Sequence, residues 1–78
     1  MYKYYITIKN FINDIQNIID SLELEGNFQH IPDLILYKNK LENLKQDFYN
    51  EDISDSILKE NFEKLENSIH NFLVENSL

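Results

Sequence analysis

The sequence contains no Cys, no Trp, no Ala and no Arg, and only one Gly and one Pro in 78 residues. Each absence excludes something. Without Cys there is no disulfide framework, no thiolate nucleophile and no cysteine zinc site. Without Arg there is no guanidinium clamp for phosphate, and seven Lys against fourteen Asp and Glu leave a formal charge of -7. That balance excludes nucleic acid as the expected partner, because phosphate binding needs concentrated cationic side chains. The scarcity of Gly removes phosphate-cradling loops and tight hairpins alike. No apolar run approaches the roughly 18–20 residues of a membrane span. The opening Met1-Tyr2-Lys3-Tyr4-Tyr5 lacks the apolar core and small-residue cleavage site of a signal peptide. The expected compartment is the cytoplasm, with no membrane association.

What is present is bulky and apolar. Eleven Ile, ten Leu, five Phe and five Tyr supply core volume in place of Ala. Ile, Asn, Lys, Phe, Tyr and Met make up 40 of the 78 residues, a bias towards A/T-rich codons that is typical of low-GC bacteria, their phages and mobile elements. An apolar share of 42% is normal for a folded domain, and the length allows one domain, residues 1–78.

Three stretches carry helical periodicity. In the first, Ile8, Phe11, Ile12, Ile15, Ile19 and Leu22 recur at steps of 3 and 4, and Tyr5, Tyr4 and Met1 extend the face backwards. A short strand over Tyr2–Ile8 competes, on its aromatic and β-branched content. It has no partner strand elsewhere, so the helix is preferred, with Thr7 as the N-cap if the first turn frays. Gly26 is placed to end this helix in the left-handed conformation. Pro32 and Asp33 suit the first turn of the second, whose seam is Leu34, Tyr37, Leu41, Leu44 and Phe48, widened by Ile31 and Ile35. Asp52 is the expected N-cap of the third, with Asp55 in the capping-box position. Its apolar face is Ile57, Leu58, Phe62, Leu65, Ile69, Phe72 and Leu73. The sequence therefore predicts an all-α fold, an up-down-up three-helix bundle with helices over about 3–24, 32–49 and 53–75. Phe11, Tyr37, Phe48, Phe62 and Phe72 are expected in the core. Tyr2, Phe28 and Tyr49 are expected outside it, and Leu24 and Leu36 fall off the stripes.

Catalytic and metal-binding arrangements find little support. Ser21, Ser54, Ser56, Ser68 and Ser77 lie in no Gly-flanked elbow. His30 and His70 are the only imidazoles, and Glu66 with His70 offers two ligands where a metal site needs more. The acidic loop from Asp47 to Asp52 lacks the central Gly of a calcium loop. The expectation is no enzyme activity, no cofactor and no metal.

The charge is unevenly spread. Residues 1–24 and 25–49 each carry net -1, whereas residues 50–78 hold two Lys against seven acids, net -5. Asp47, Glu51, Asp52 and Asp55 gather around Tyr49 at the second loop, and Glu60 and Glu63 continue along the outer side of the third helix. Acids there stabilise a helix start and keep the outer face soluble, with Lys59–Glu63 and Glu60–Lys64 as i,i+4 pairs. The same cluster, Asp47, Tyr49, Glu51, Asp52, Asp55, Glu60 and Glu63, also forms a candidate surface for a basic protein partner.

In size, acidity and helical pattern the chain resembles the small helical immunity proteins of bacteriocin and contact-dependent growth-inhibition systems. The resemblance implies one-to-one binding of a cognate toxin, with a basic nuclease domain as the expected target and occlusion of its active or substrate-binding surface as the mechanism. Two other readings accompany it. One is a phage or mobile-element inhibitor of a host defence nuclease, which rests on the same physics. The other is a self-associating helical adaptor, in which the apolar seams pair between chains.

Overall fold

A computed structural model describes residues 3–78. It contains three helices, α1 (Lys3–Glu25), α2 (Ile31–Tyr49) and α3 (Asp55–Glu75), and no strand among the described residues. They run up, down and up in an elongated bundle of 39 × 20 × 17 Å. Tyr5 near the start of α1 meets Phe48 near the end of α2, and His30 before α2 meets Phe72 near the end of α3. The all-α, up-down-up reading is therefore the observed fold.

The core is a heptad seam on each helix. From α1 come Ile8, Ile12, Ile15, Ile19 and Leu22, from α2 Ile31, Leu34, Leu41 and Leu44, and from α3 Leu58, Phe62 and Ile69. All twelve are aliphatic or aromatic, and no polar or charged side chain is buried among the described residues. Full burial of each such side chain contributes about 1.5–3 kcal/mol, which is what holds helices rich in Asn and Lys together. The aromatic residues sit at the edges of this seam. Of the five expected inside, Phe62 is buried, while Phe11, Tyr37, Phe48 and Phe72 are half-buried and pack against the core. Phe11 and Phe62 meet edge to face at 6.0 Å, joining α1 to α3. Ile35 and Ile57, expected on the apolar faces, are 44% and 47% exposed. Both fall at the margins of their stripes, beside the buried Leu34 and Leu58.

Helix ends follow local chemistry. The competing strand over Tyr2–Ile8 does not form in its described part. Residues from Lys3 onward are helical, and Thr7 is inside the helix, its hydroxyl donating to the Lys3 carbonyl oxygen at 2.9 Å rather than capping. Met1 and Tyr2 lie outside the described residues, and with them the expected exposure of Tyr2. Gly26 ends α1 as expected, at φ +72°, with Asn27 N–H donating to Leu22 O and Gly26 N–H to Glu23 O.

Pro32 sits in the first turn of α2. The end of α2 repeats the Gly26 geometry with Glu51 in the left-handed position, φ 62°, and the end of α3 repeats it with Ser77, φ 56°. In α3 the N-cap is Ser54, whose hydroxyl accepts from Ile57 N–H at 3.4 Å, and the helix begins at Asp55 rather than at 53. Asp52 is not the cap: α3 begins at Asp55, so the residue flanking its first turn is Ser54, while the Asp52 N–H closes the end of α2.

Candidate functional site

The up-down-up path brings the start of α1, the end of α2 and the start of α3 to one end of the bundle. There an open hollow of about 490 Å³ is lined by Tyr5 from α1, Phe48 and Tyr49 from α2, and Glu51, Ile53, Ser54 and Asp55 from the second loop and the first residue of α3. The apolar part of the lining is aromatic and aliphatic. Tyr5 and Phe48 lie 6.5 Å apart with their rings tilted by 39°. Tyr49 is 70% exposed, as the sequence pattern predicts for a residue off the seam.

Three of the expected site residues, Tyr49, Glu51 and Asp55, line this hollow together. The remaining four lie elsewhere. Asp47 lines a shallow groove between α2 and α3, together with Lys40 and Lys64, and does not face the hollow. Asp52 is exposed on the loop but does not line the hollow. Glu60 is paired with Lys64 at 3.3 Å, the one ion pair among the described residues. Glu63 is exposed along α3, and the expected Lys59–Glu63 pair is not formed. The pair that forms has Glu on the N-terminal side of Lys, the more favourable orientation along a helix.

Sequence reasoning missed Tyr5, Phe48 and Ile53 as site residues. Tyr5 and Phe48 were assigned to packing stripes, and they do lie at the ends of those stripes, where the stripe runs out of partner.

The electrostatics of this end are simple. Glu51, Asp52 and Asp55 are exposed and form no ion pair among the described residues. The loop that carries them is held by backbone bonds, Glu51 N–H to Phe48 O at 3.0 Å and Asp52 N–H to Asp47 O at 2.9 Å. Ser54 is fixed by its cap and by a 3.3 Å contact with the Ser56 hydroxyl. The carboxylates therefore project from a defined turn, and their charge is not neutralised internally.

Of the two imidazoles, His30 is half-buried and His70 exposed, and each lies beside a phenylalanine ring. His30 meets the Phe72 ring edge to face at 5.8 Å, and His70 lies against Phe11 at 5.7 Å. Among the described residues no three His, Asp or Glu side chains converge on a point that would hold a metal ion, and no helix is long and apolar enough to cross a membrane.

Compared with known protein families, curated proteins and solved structures, the chain matches none.

Proposed function

We propose that this protein binds and neutralises a basic protein, in the manner of an immunity protein or antitoxin. The target is a toxin with a nuclease-type, phosphate-binding surface. The complex is one-to-one, and the protein acts by covering that surface rather than by chemistry of its own.

The observation that carries this reading is the set of unpaired loop carboxylates Glu51, Asp52 and Asp55 beside the exposed ring of Tyr49. Carboxylates without internal partners attract a cationic surface over a distance of about a Debye length, roughly 8 Å at physiological salt. An exposed aromatic beside them supplies the apolar anchor on which interface affinity concentrates. A nuclease groove offers the complementary pattern, cationic groups placed for phosphates.

The test is co-expression with the protein encoded by the adjacent gene, followed by size-exclusion chromatography with mass detection. A one-to-one complex with a protein that is toxic when produced alone supports the proposal. No complex, with this chain running as its own oligomer, overturns it in favour of the self-associating adaptor.

A further inference from the structure

Several hollows indent the described surface, and they differ in their charged and aromatic lining. The groove between α2 and α3 contains Asp47 but also Lys40 and Lys64. The groove between α1 and α3 contains Asp14 and Glu66, with the His70 imidazole already laid on Phe11. The hollow at the far end has Glu25 as its only charged side chain and no aromatic ring. The hollow at the acidic end differs from all three. It is lined by three aromatic rings, Tyr5, Phe48 and Tyr49, with Ile53, its charged groups are Glu51 and Asp55, and neither a lysine nor a histidine lines it.

An apolar, ring-bearing lining that also carries unpaired carboxylates suits a ligand that is apolar along its length and cationic at its tip. We propose that this hollow receives one arginine side chain of the partner protein, a deepening of the neutralisation reading on which it rests. The methylene stem lies on Ile53 and the aromatic rings, as long cationic side chains do when they cover apolar surface. The guanidinium stacks on a ring face and donates to Glu51 and Asp55. Arginine is favoured over lysine because its planar, weakly hydrated head combines stacking with bidentate donation, whereas an ammonium is a compact, strongly hydrated charge. The volume of about 490 Å³ leaves room for one such side chain with water around it. The chain itself contains no arginine, so no copy of this protein supplies the ligand.

The experiment is an NMR titration of the isotope-labelled full chain with the capped tripeptide acetyl-Gly-Arg-Gly-amide. The same peptide with citrulline, the uncharged isostere, and with lysine are the controls. The expected result is saturable shifts centred on Tyr5, Phe48, Tyr49 and Ile53 for the arginine peptide. The lysine peptide binds more weakly, and citrulline, having lost its charge, binds at least about tenfold more weakly. The Glu51→Gln, Asp55→Asn double variant keeps its spectral dispersion and loses the saturable response.

Equal responses to arginine and citrulline overturn the proposal, as do shifts spread evenly over Glu60 and Glu63, or no shifts at all. Failure here is distinguishable from failure of the broader reading. A one-to-one complex whose affinity is unchanged in the double variant, with no arginine-peptide response, leaves neutralisation standing and removes the arginine anchor. An arginine-peptide response without any toxin complex removes neutralisation and keeps the hollow's chemistry.

Discussion

The backbone N–H of Asp52 donates to the carbonyl oxygen of Asp47 across 2.9 Å, and this one bond separates the roles of the loop acids. It closes the last turn of α2, with Glu51 between the two in the left-handed region at φ 62°. Asp52 thereby belongs to the turn that ends α2, and the cap of α3 is Ser54, two residues on. The loop becomes a fixed turn from which Glu51 and Asp55 reach one hollow and Asp52 does not.

The capping assignment is directly testable. Ser54→Ala removes the side-chain oxygen that accepts from Ile57 N–H and should cost about 0.5–2 kcal/mol, whereas Asp52→Ala should leave stability nearly unchanged. Urea denaturation of both variants reads the difference. A larger loss from Asp52→Ala would place the cap where the capping-box pattern first suggested.

Gly26 and Glu51 occupy equivalent positions at the ends of α1 and α2, at φ +72° and 62°. A Cβ at Gly26 meets nothing within 4 Å, so Gly26→Ala should destabilise by about 1 kcal/mol through backbone conformation alone. Glu51→Gly is the converse. It relieves the left-handed penalty, offset by the extra chain entropy of Gly, and should stabilise by roughly 0.5–1 kcal/mol. Because Glu51 is also a proposed binding carboxylate, the same variant should melt higher and bind its partner less well. Calorimetry and affinity measured on one preparation check both; a lower melting temperature for Glu51→Gly would show that the turn carries no such strain.

Charge reversal tests the surface itself. Glu51→Lys, Asp52→Lys and Asp55→Lys together should weaken partner binding by at least about tenfold and flatten or invert its loss with salt, since these groups are exposed and unpaired and their attraction is what salt screens. Circular dichroism should stay helical. The matching reversal of Glu60 and Glu63, which lie away from the hollow, should change affinity far less. Equal effects from the two sets would mean that net charge, not this end of the bundle, governs binding.

Most of the fold was legible in the sequence, because spacing reports which face of a helix is apolar. Ile8, Ile12, Ile15, Ile19 and Leu22 read as a seam and are one. Gly26 announced the end of α1. The ends of α2 and α3 carry the same turn on Glu51 and Ser77, residues with no strong left-handed preference, so the turn had no signal there. Missing it moved the expected start of α3 forward by two residues, to 53 instead of 55. The site was legible only in part for a related reason. Charge clustering along the chain found Tyr49, Glu51 and Asp55, but it also gathered Glu60, which pairs with Lys64 one turn on, and Asp47, whose groove with α3 exists only when the helices are placed side by side. Tyr5 belongs to the hollow through packing of α1 against α2, a relationship that periodicity within one helix does not encode.

The core offers the last prediction. Phe62 is 3% exposed, touches Phe11 edge to face, and is the one aromatic ring fully inside the described core. Phe62→Ala should destabilise by about 3–5 kcal/mol, combining lost transfer energy with the cavity left behind. A domain of this size has a total stability of only roughly 4–12 kcal/mol, so this variant could unfold outright at ambient temperature. Ile69→Val, fully buried on the same helix, is the graded companion, with an expected loss of about 0.5–1.5 kcal/mol. Ile57→Ala, on the same helix but 47% exposed, should cost much less than Phe62→Ala. Chemical denaturation of the three should rank them Phe62, then Ile69 and Ile57 well below it. A Phe62→Ala protein as stable as the wild type would mean that α3 docks through a different face, and would detach the acidic loop from the hollow at the end of α1 and α2.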